Sequence, residues 1–304
     1  MQSMDRFIDH ITTFIISEGF SCSHLRRYGL DFICVTLADG KNKKILPLDI
    51  SASSTEQARM RAEDIEEGIT SMATTDKEYP LIVTQDRWNT QRQMMQERLL
   101  AHLEVFTPVY ARNCEVRRID RSVAREFLDQ NHSYGHAACR YCYGLFFKRH
   151  TGHIAQNLDT EIKSKITTGQ LIAVATFSNA RKWVKGDKTI RSYEWTRYAS
   201  LPHIRLSGGM GRILKEFINE VQPDDIMSYA DLEWSEGNVY GQLGFELEGQ
   251  KEPVMFKVGC DWKRMPVKTN EAALATVSDT EQTITRFFQN FGSNKYRLKL
   301  TDYK

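Results

Sequence analysis

The sequence predicts an α/β protein in two parts, a small α/β domain over residues 1–110 and a mixed-sheet domain over 111–304. Three observations carry this. Short β-type runs alternate with stretches whose apolar residues recur at helical spacing. A glycine-rich loop, Arg205-Leu-Ser207-Gly208-Gly209-Met210-Gly211, opens an amphipathic helix. Beyond it, Ile226-Met-Ser-Tyr-Ala-Asp231 reads as a strand ending in a polar cluster, followed by a short helix with Tyr240 and a Leu-Gly-Phe stop.

The bulk numbers fit that class. Hydrophobic residues make up 41% and charged residues 26% of 304, ordinary for a globular protein with room for two domains. Forty-one Lys and Arg against 39 Asp and Glu leave a net charge of +2, so any nucleic-acid contact needs a local patch of cations. No apolar run approaches the roughly 20 residues that cross a bilayer. The N-terminus, with Asp5, Asp9 and His10 among its apolar residues, lacks a signal-peptide layout. Six scattered cysteines fit a reducing compartment. A cytoplasmic protein without a membrane partner is expected.

In the first part, Phe7, Ile8, Ile11, Phe14 and Ile15 mark a helix over 5–18. Phe32–Leu37 and Ile45–Ile50 are strand runs parted by the turn Asp39-Gly-Lys-Asn. Ala58, Ala62, Ile65, Ile69 and Met72 trace a second helix, capped by Ser53, Ser54 or Thr55. Leu81–Thr84 reads as a buried strand, and Trp88, Met95, Leu99 and Leu103 as one face of a third helix. Asp31, Asp49 and Asp86 fall at strand ends, where a nuclease gathers metal-binding carboxylates. Aspartates also favour turns and helix starts, and no Asp/Glu-x-Lys signature accompanies them. Arg26, Arg27, Lys41, Lys43 and Lys44 suit a solvated face as well as a phosphate.

In the second part, Glu115–Asp120 reads as a strand, and Ser122 as the cap of a helix with Val123, Phe127 and Leu128 inward. Tyr141–Phe147, Leu171–Phe177, Tyr193–Ala199 and Val254–Val258 are further strands. After the glycine loop, Met210, Ile213, Leu214, Phe217, Ile218 and Val221 form one apolar stripe. Residues 150–170 read as a polar insertion, 266–282 as an irregular excursion, and Tyr296–Leu300 as a returning edge strand.

Glycines at a helix start offer free N–H groups and the positive end of the helix dipole to an anion such as a pyrophosphate. Followed by a strand with an acid and a later tyrosine, this order resembles the acetyltransferase-like (GNAT) fold. That resemblance implies Arg205, Ser207, Gly208, Gly209, Met210 and Gly211 as the holders of an acyl-CoA such as acetyl-CoA, with Tyr240 at its thioester end. The loop pattern Arg/Gln-x-x-Gly-x-Gly/Ala places Met210 in its last slot, and a shifted register recovers Gly209-x-Gly211.

Asn131-His132, Glu194-Trp-Thr-Arg197, Ser228-Tyr-Ala-Asp231 and Tyr240 together resemble the Mom-type DNA-modification proteins of phage Mu and its relatives, over residues 131–258. The resemblance implies modification of the exocyclic amine of adenine in DNA, a mobile-element origin, and possible iron involvement. Under it, Asp231 takes or orients the amine proton, Tyr240 supplies one to the leaving group, and Ser228 and Arg197 position substrate, with His132 and Glu194 in the same site. A base acted on this way is flipped out or single-stranded and stacked on aromatics. Trp195, Tyr198, Tyr229 and Trp234 flank the candidate site, and each suits core filling equally well.

Arg181, Lys182, Lys185, Lys188 and Arg191 gather in one loop with Trp183, able to neutralise DNA or RNA phosphates or to form a solvated tip. His132, His136, Cys139 and Cys142 are the ligand types of an iron or zinc site. A strand beginning at Tyr141 would point the two cysteines to opposite faces, which argues against joint ligation. Three readings therefore stand: a base-modifying transferase, an N-acyltransferase on a small amine or a protein, and a nucleic-acid-binding protein without catalysis.

Overall fold

The computed structural model describes residues 2–149, 166–267 and 285–303. Nearly all of the insertion and the excursion read from the sequence lie outside them. The chain forms two compact units. One comprises Met1–Glu104, Asp231–Glu236 and Gln250–Ser293, the other Val105–Ala230, Gly237–Gly249 and Asn294–Lys304. The sequence places a single boundary near residue 110; in the structure two later segments belong to the first unit, because their buried side chains pack there.

The first unit opens with α1 (Gln2–Ser17), β1 (Cys22–Arg27), β2 (Leu30–Thr36) and β3 (Asn42–Leu48). Then come α2 (Thr55–Asp76), β4 (Leu81–Thr84), α3 (Gln85–Thr90) and α4 (Arg92–His102). The first three strands are antiparallel neighbours, and β4 joins β3 in parallel after the α2 crossover. Ile11 and Ile15 bury against Ile33, Val35, Ile45 and Trp88 on one face, and Ile65, Ile69 and Met72 against Phe32, Leu46 and Ile82 on the other. Ser54 caps α2 by accepting the Gln57 N–H at 3.2 Å. The expected third helix is broken at Gln91, whose φ of −132° and ψ of 41° leave the helical region. β1 carried no sequence signal because Ser23 through Arg27 are exposed on both faces.

The second unit runs β5 (Thr107–Tyr110), β6 (Cys114–Arg118), α5 (Arg121–Asn131), β7 (Tyr141–Phe147), β8 (Leu171–Phe177) and β9 (Arg181–Lys185). It continues through β10 (Lys188–Ser200), β11 (Ile204–Ser207), α6 (Gly209–Val221), β12 (Asp225–Asp231), α7 (Asn238–Gln242) and β13 (Glu246–Lys251). The first unit then receives β14 (Met255–Val258), β15 (Arg264–Pro266) and β16 (Arg286–Gln289), a three-stranded sheet ordered β15-β14-β16. The last strand is β17 (Ser293–Lys299).

The main sheet is ordered β13-β17-β12-β10-β8-β7-β6, with β9 hairpinned onto β10. β6, β7, β8 and β10 are antiparallel, whereas β10 and β12 are parallel with α6 between them in sequence. The sheet is therefore mixed. Tyr143, Ala175, Phe177, Tyr193 and Trp195 pack against Ile213, Leu214 and Phe217 of α6, and the alternate residues Cys142 and Val174 against Ala124 and Leu128 of α5. The two helices therefore cover opposite faces. Phe177 and Phe217 stack with centroids 3.9 Å apart.

Three expectations are corrected here. Asp120, not Ser122, precedes the first residue of α5, and Val123 is 40% exposed while Ala124 is buried. The last strand is not an edge: β17 lies between β12 and β13, because Arg297 is buried and bonds Asp225 on one side and Glu248 on the other. Val254–Val258 serves the first unit's small sheet rather than the main one.

A buried ionic cluster ties the first unit's late segments to its early ones. Arg264 donates to Glu233 at 2.6 Å, to Thr84 at 3.1 Å and to both oxygens of Asp86. Arg87 donates to Glu233 at 2.7 Å. Burial opposes the charged form of Glu233, but the guanidinium groups of Arg264 and Arg87 outweigh it and hold the carboxyl down to about 2. The stability this contributes is complete above the unfolded glutamate value of about 4.3 and is lost as pH falls toward the folded one. Replacing Arg264 by Met strands two carboxylates, so chemical denaturation of Arg264→Met should show a loss of about 3–5 kcal/mol in the first unit. A change below about 1 kcal/mol would show that the cluster is redundant.

Candidate active site

The site begins where two parallel strands part. β10 and β12 pair only at Ser192–Asp225, Tyr193–Ile226 and Glu194–Met227, although β10 runs on to Ser200 and β12 to Asp231. The separation coincides with a bulge in β10 between Trp195 and Arg197, which changes its register on β8. Backbone groups that would have joined the ladder need other partners. Ser228 supplies one: its hydroxyl donates to the Trp195 carbonyl at 3.0 Å. The Tyr240 hydroxyl lies 2.8 Å from Ser228 Oγ, where either group can donate, and 3.5 Å from the Tyr229 carbonyl.

Tyr240 reaches this point from α7. Gly237 precedes that helix with φ +79°, and a Cβ there would lie 2.7 Å from the Tyr296 ring and 2.8 Å from the Ala230 side chain, so only glycine lets the chain turn so close. The Tyr240 ring is stacked on Tyr296 with centroids 5.0 Å apart, and it meets Trp195 and Phe245 edge-on. Burial raises the Tyr240 phenol above its ordinary value, although the Ser228 hydrogen bond acts the other way. The phenol is therefore protonated at neutral pH and held beside Ser228.

The glycine loop lies at the same end of the sheet. β10 and β12 are parallel, and α6 returns from the end of the former to the start of the latter, so its N-terminus sits at their C-terminal ends. Gly208 adopts φ +77°, and no side chain caps the helix. A Cβ on Gly209 would lie 2.5 Å from Leu206 and 3.0 Å from the Tyr198 hydroxyl; one on Gly211 would lie 3.1 Å from Leu243, just past α7. These glycines thus let α6 settle against β11, Tyr198 and the helix that carries Tyr240. Met210 is half-buried against the core below them. Arg205 and Ser207 are exposed on β11, and the Arg205 guanidinium lies over Phe106. Arg212 bonds the Ala111 carbonyl at 2.9 Å, and Arg112 lies over Tyr110, the residue paired with Ser207. An uncapped helix start flanked by three arginines suits the diphosphate of an acyl-CoA. Arg112 and Arg212 went unnoticed in the sequence, although Arg212 directly follows the loop.

The remaining expected residues are placed elsewhere. Asp231 stands three residues beyond Ser228, so strand alternation directs the two to opposite faces of β12. Its carboxylate accepts the Glu233 N–H at 3.0 Å and lies 3.9 Å from Arg87 in the first unit. Arg197 donates to the Gly135 and Thr196 carbonyls at 3.0 and 2.8 Å, and burial lowers its affinity for the proton. His132 ends α5, and its Nδ1 accepts the Tyr134 N–H at 3.1 Å. The Glu194 backbone exchanges hydrogen bonds with Ser178, and its carboxylate acts on Arg197. Arg197 thus reaches the loop after α5 that His132 opens, with the Glu194 carboxylate acting on it. Trp195 is buried core with Tyr198 edge-on to it, and Trp234 lies under Arg98 and Arg87 in the first unit.

The basic loop is a hairpin of β9 and β10. Arg181 and Lys182 are exposed, beside Trp183 at 41% and Val184 at 77% exposure. Lys188 bonds the Asp302 carbonyl and Arg191 pairs with Asp224, so these two also brace the fold. Lys185 closes the hairpin opposite Lys188. His136 binds Asp129 through both its N–H and its Nδ1. Among the described residues, no group of three or more His, Cys, Asp or Glu side chains is placed to hold a metal ion. Cys139 and Cys142 do not diverge as expected: Cys139 precedes the strand, and the sulfurs lie 3.4 Å apart. Among the described residues, no helix is long and apolar enough to cross a membrane.

No family model matches this chain, and no curated protein does. Among solved structures, it is similar to a chain of the NatC complex bound to Gag peptide and CoA, at 11% identity and TM-score 0.33, over 62% of this chain and 99% of that one. It is also similar to a Bacillus subtilis acetyltransferase in complex with CoA, at 11% and 0.31, over 62% and 99%. A third is the ribosomal-protein-S5-alanine acetyltransferase of Vibrio fischeri, at 11% and 0.33, over 63% and 96%. Likenesses this weak decide nothing about this chain's activity.

Proposed function

We propose that the second unit is an acyl-CoA-dependent N-acyltransferase in which Tyr240 protonates the leaving thiolate. The observation that carries this is the Tyr240–Ser228–Trp195 hydrogen-bond chain at the parting of β10 and β12, at the same end of the sheet as the uncapped start of α6. The acyl thioester supplies an electrophilic carbonyl and a sulfur leaving group. Gly208, Gly209, Met210 and Gly211 offer N–H groups to its diphosphate, with Arg205, Ser207 and Arg212 around them. An amine nitrogen attacks the carbonyl, the bond to sulfur breaks, the Tyr240 proton passes to the sulfur, and the surplus proton on the acylated nitrogen returns through water to the phenolate. Ser228, rotating away from the Trp195 carbonyl, then donates to the phenolate and steadies it.

A single tyrosine hydroxyl separates this reading from simple CoA binding. In thiol-release assays with acetyl-CoA and a panel of amines, peptide N-termini and nucleosides, Tyr240→Phe should lower kcat by about 100-fold, with CoA affinity in calorimetry unchanged. Ser228→Ala should give a smaller loss, since the phenol remains but its resting partner does not. Equal rates for the wild type and Tyr240→Phe would remove Tyr240 from the chemistry.

A second, finer reading is favoured by the exposed Arg181, Lys182 and Trp183 on the β9–β10 hairpin: the acceptor is the exocyclic amine of adenine in DNA. The resemblance to Mom-type proteins points the same way. Nucleosides from hydrolysed DNA of cells expressing the chain should then carry an adenosine adduct that Tyr240→Phe abolishes. Replacing Arg181 and Lys182 by Ala should weaken DNA binding and reduce the salt slope by about two. Unmodified DNA alongside acylated small amines would leave only the coarser activity.

A further inference from the structure

We propose that Cys139 and Cys142 are a redox-active dithiol that closes to a disulfide in exchange with a small-molecule disulfide oxidant. Their sulfurs are already in contact at 3.4 Å. The backbone explains why. β7 starts at Tyr141, so Cys142 is held by the strand while Cys139 lies in the loop before it, free of strand alternation. Both side chains pack against the cluster of Ala124, Leu128 and Val174 under α5. Closing from contact to a bond of about 2.05 Å needs side-chain rotation in a loop rather than movement of the sheet. The other four cysteines are placed differently. Cys22 and Cys34 pack on opposite faces of the first unit's sheet, Cys114 is buried, and Cys260 is exposed in a turn.

The order of attack follows from exposure. Cys139 is half-buried and Cys142 buried, with its thiol pushed up to about 12, chiefly by burial and further by its hydrogen bond with Cys139. The Cys139 thiolate therefore attacks one sulfur of the oxidant RSSR, forming a mixed disulfide and releasing RS⁻. The Cys142 sulfur, giving its proton to water, then displaces the second RS⁻. Two electrons leave the protein in two molecules of RSH, and one S–S bond forms. The bond tethers the loop that ends α5 to β7. That loop carries the Gly135 carbonyl bound by Arg197 and the His136 bound to Asp129.

The test uses the intact chain in glutathione buffers stepped from reduced to oxidised, quenched by alkylation after denaturation and read by peptide mass spectrometry. The peptide holding both cysteines should pass from two alkyl groups to none, two hydrogens lighter, without a lasting glutathione adduct. Cys142→Ala, which keeps a small apolar side chain, should stop at a glutathione adduct on Cys139. Cys139→Ser should leave Cys142 unreacted while Cys260 takes up glutathione. Hydrogen exchange of residues 132–140 should slow in the oxidised wild type. A wild type that keeps both thiols when Cys260 is already modified overturns the proposal. So does one that accumulates the Cys139 adduct to the level seen in Cys142→Ala.

Discussion

The parting of β10 and β12 after Glu194 and Met227 is the constraint from which the second unit's site follows. Two parallel strands in register satisfy each other's backbone groups; two that part leave carbonyls and amides to be satisfied otherwise. Here the bulge at Trp195–Arg197 turns β10 away, and Ser228 reaches across to the orphaned Trp195 carbonyl. The side chain that repairs the gap is also the one that fixes the tyrosine hydroxyl. An opening in the sheet and a fixed tyrosine hydroxyl thus have one cause.

The surrounding packing makes that arrangement rigid. Phe177, Phe217 and Trp195 form a continuous aromatic layer under the strands, and Tyr240 sits between Trp195 and Tyr296 at its margin. β17 is held in place by Arg297, which bonds Asp225 at the start of β12 and Glu248 on β13. Burial opposes the charge on that guanidinium, and the two carboxylates more than compensate. The last strand of the chain therefore contributes the Tyr296 ring that backs the catalytic candidate. In the first unit the same principle recurs with Arg264, which Asp86 and Glu233 keep firmly protonated.

The candidate site was partly legible. Ser228 and Tyr240 were singled out by the acetyltransferase-like and Mom-type resemblances, and the glycine loop by its residues at a helix start. Asp231 was grouped with them by the Mom-type resemblance; strands alternate at every residue, so positions 228 and 231 point to opposite faces of β12. Its neighbours Leu232 and Glu233 belong to the first unit's core and ionic cluster, which draws the carboxylate toward Arg87. Arg197 was expected to position substrate from the same resemblance; in the structure it donates to two backbone carbonyls.

The amino-acid order by itself determined the elements whose apolar residues repeat at 3.6 or 2: α1, α2, α6 and the runs that became β2, β3, β4, β7, β8 and β12. Those patterns are local, because burial of one face is imposed residue by residue. It could not reveal β1 or β9, whose residues are exposed on both sides, nor that β17 inserts between β12 and β13. Nor could it show that two late segments serve the first unit. Strand neighbours, the meeting of Cys139 with Cys142, and the hydrogen bond between Tyr240 and Ser228 depend on pairings between residues far apart or on either side of a turn. Only the closed structure decides which of many compatible partners satisfies each buried polar group.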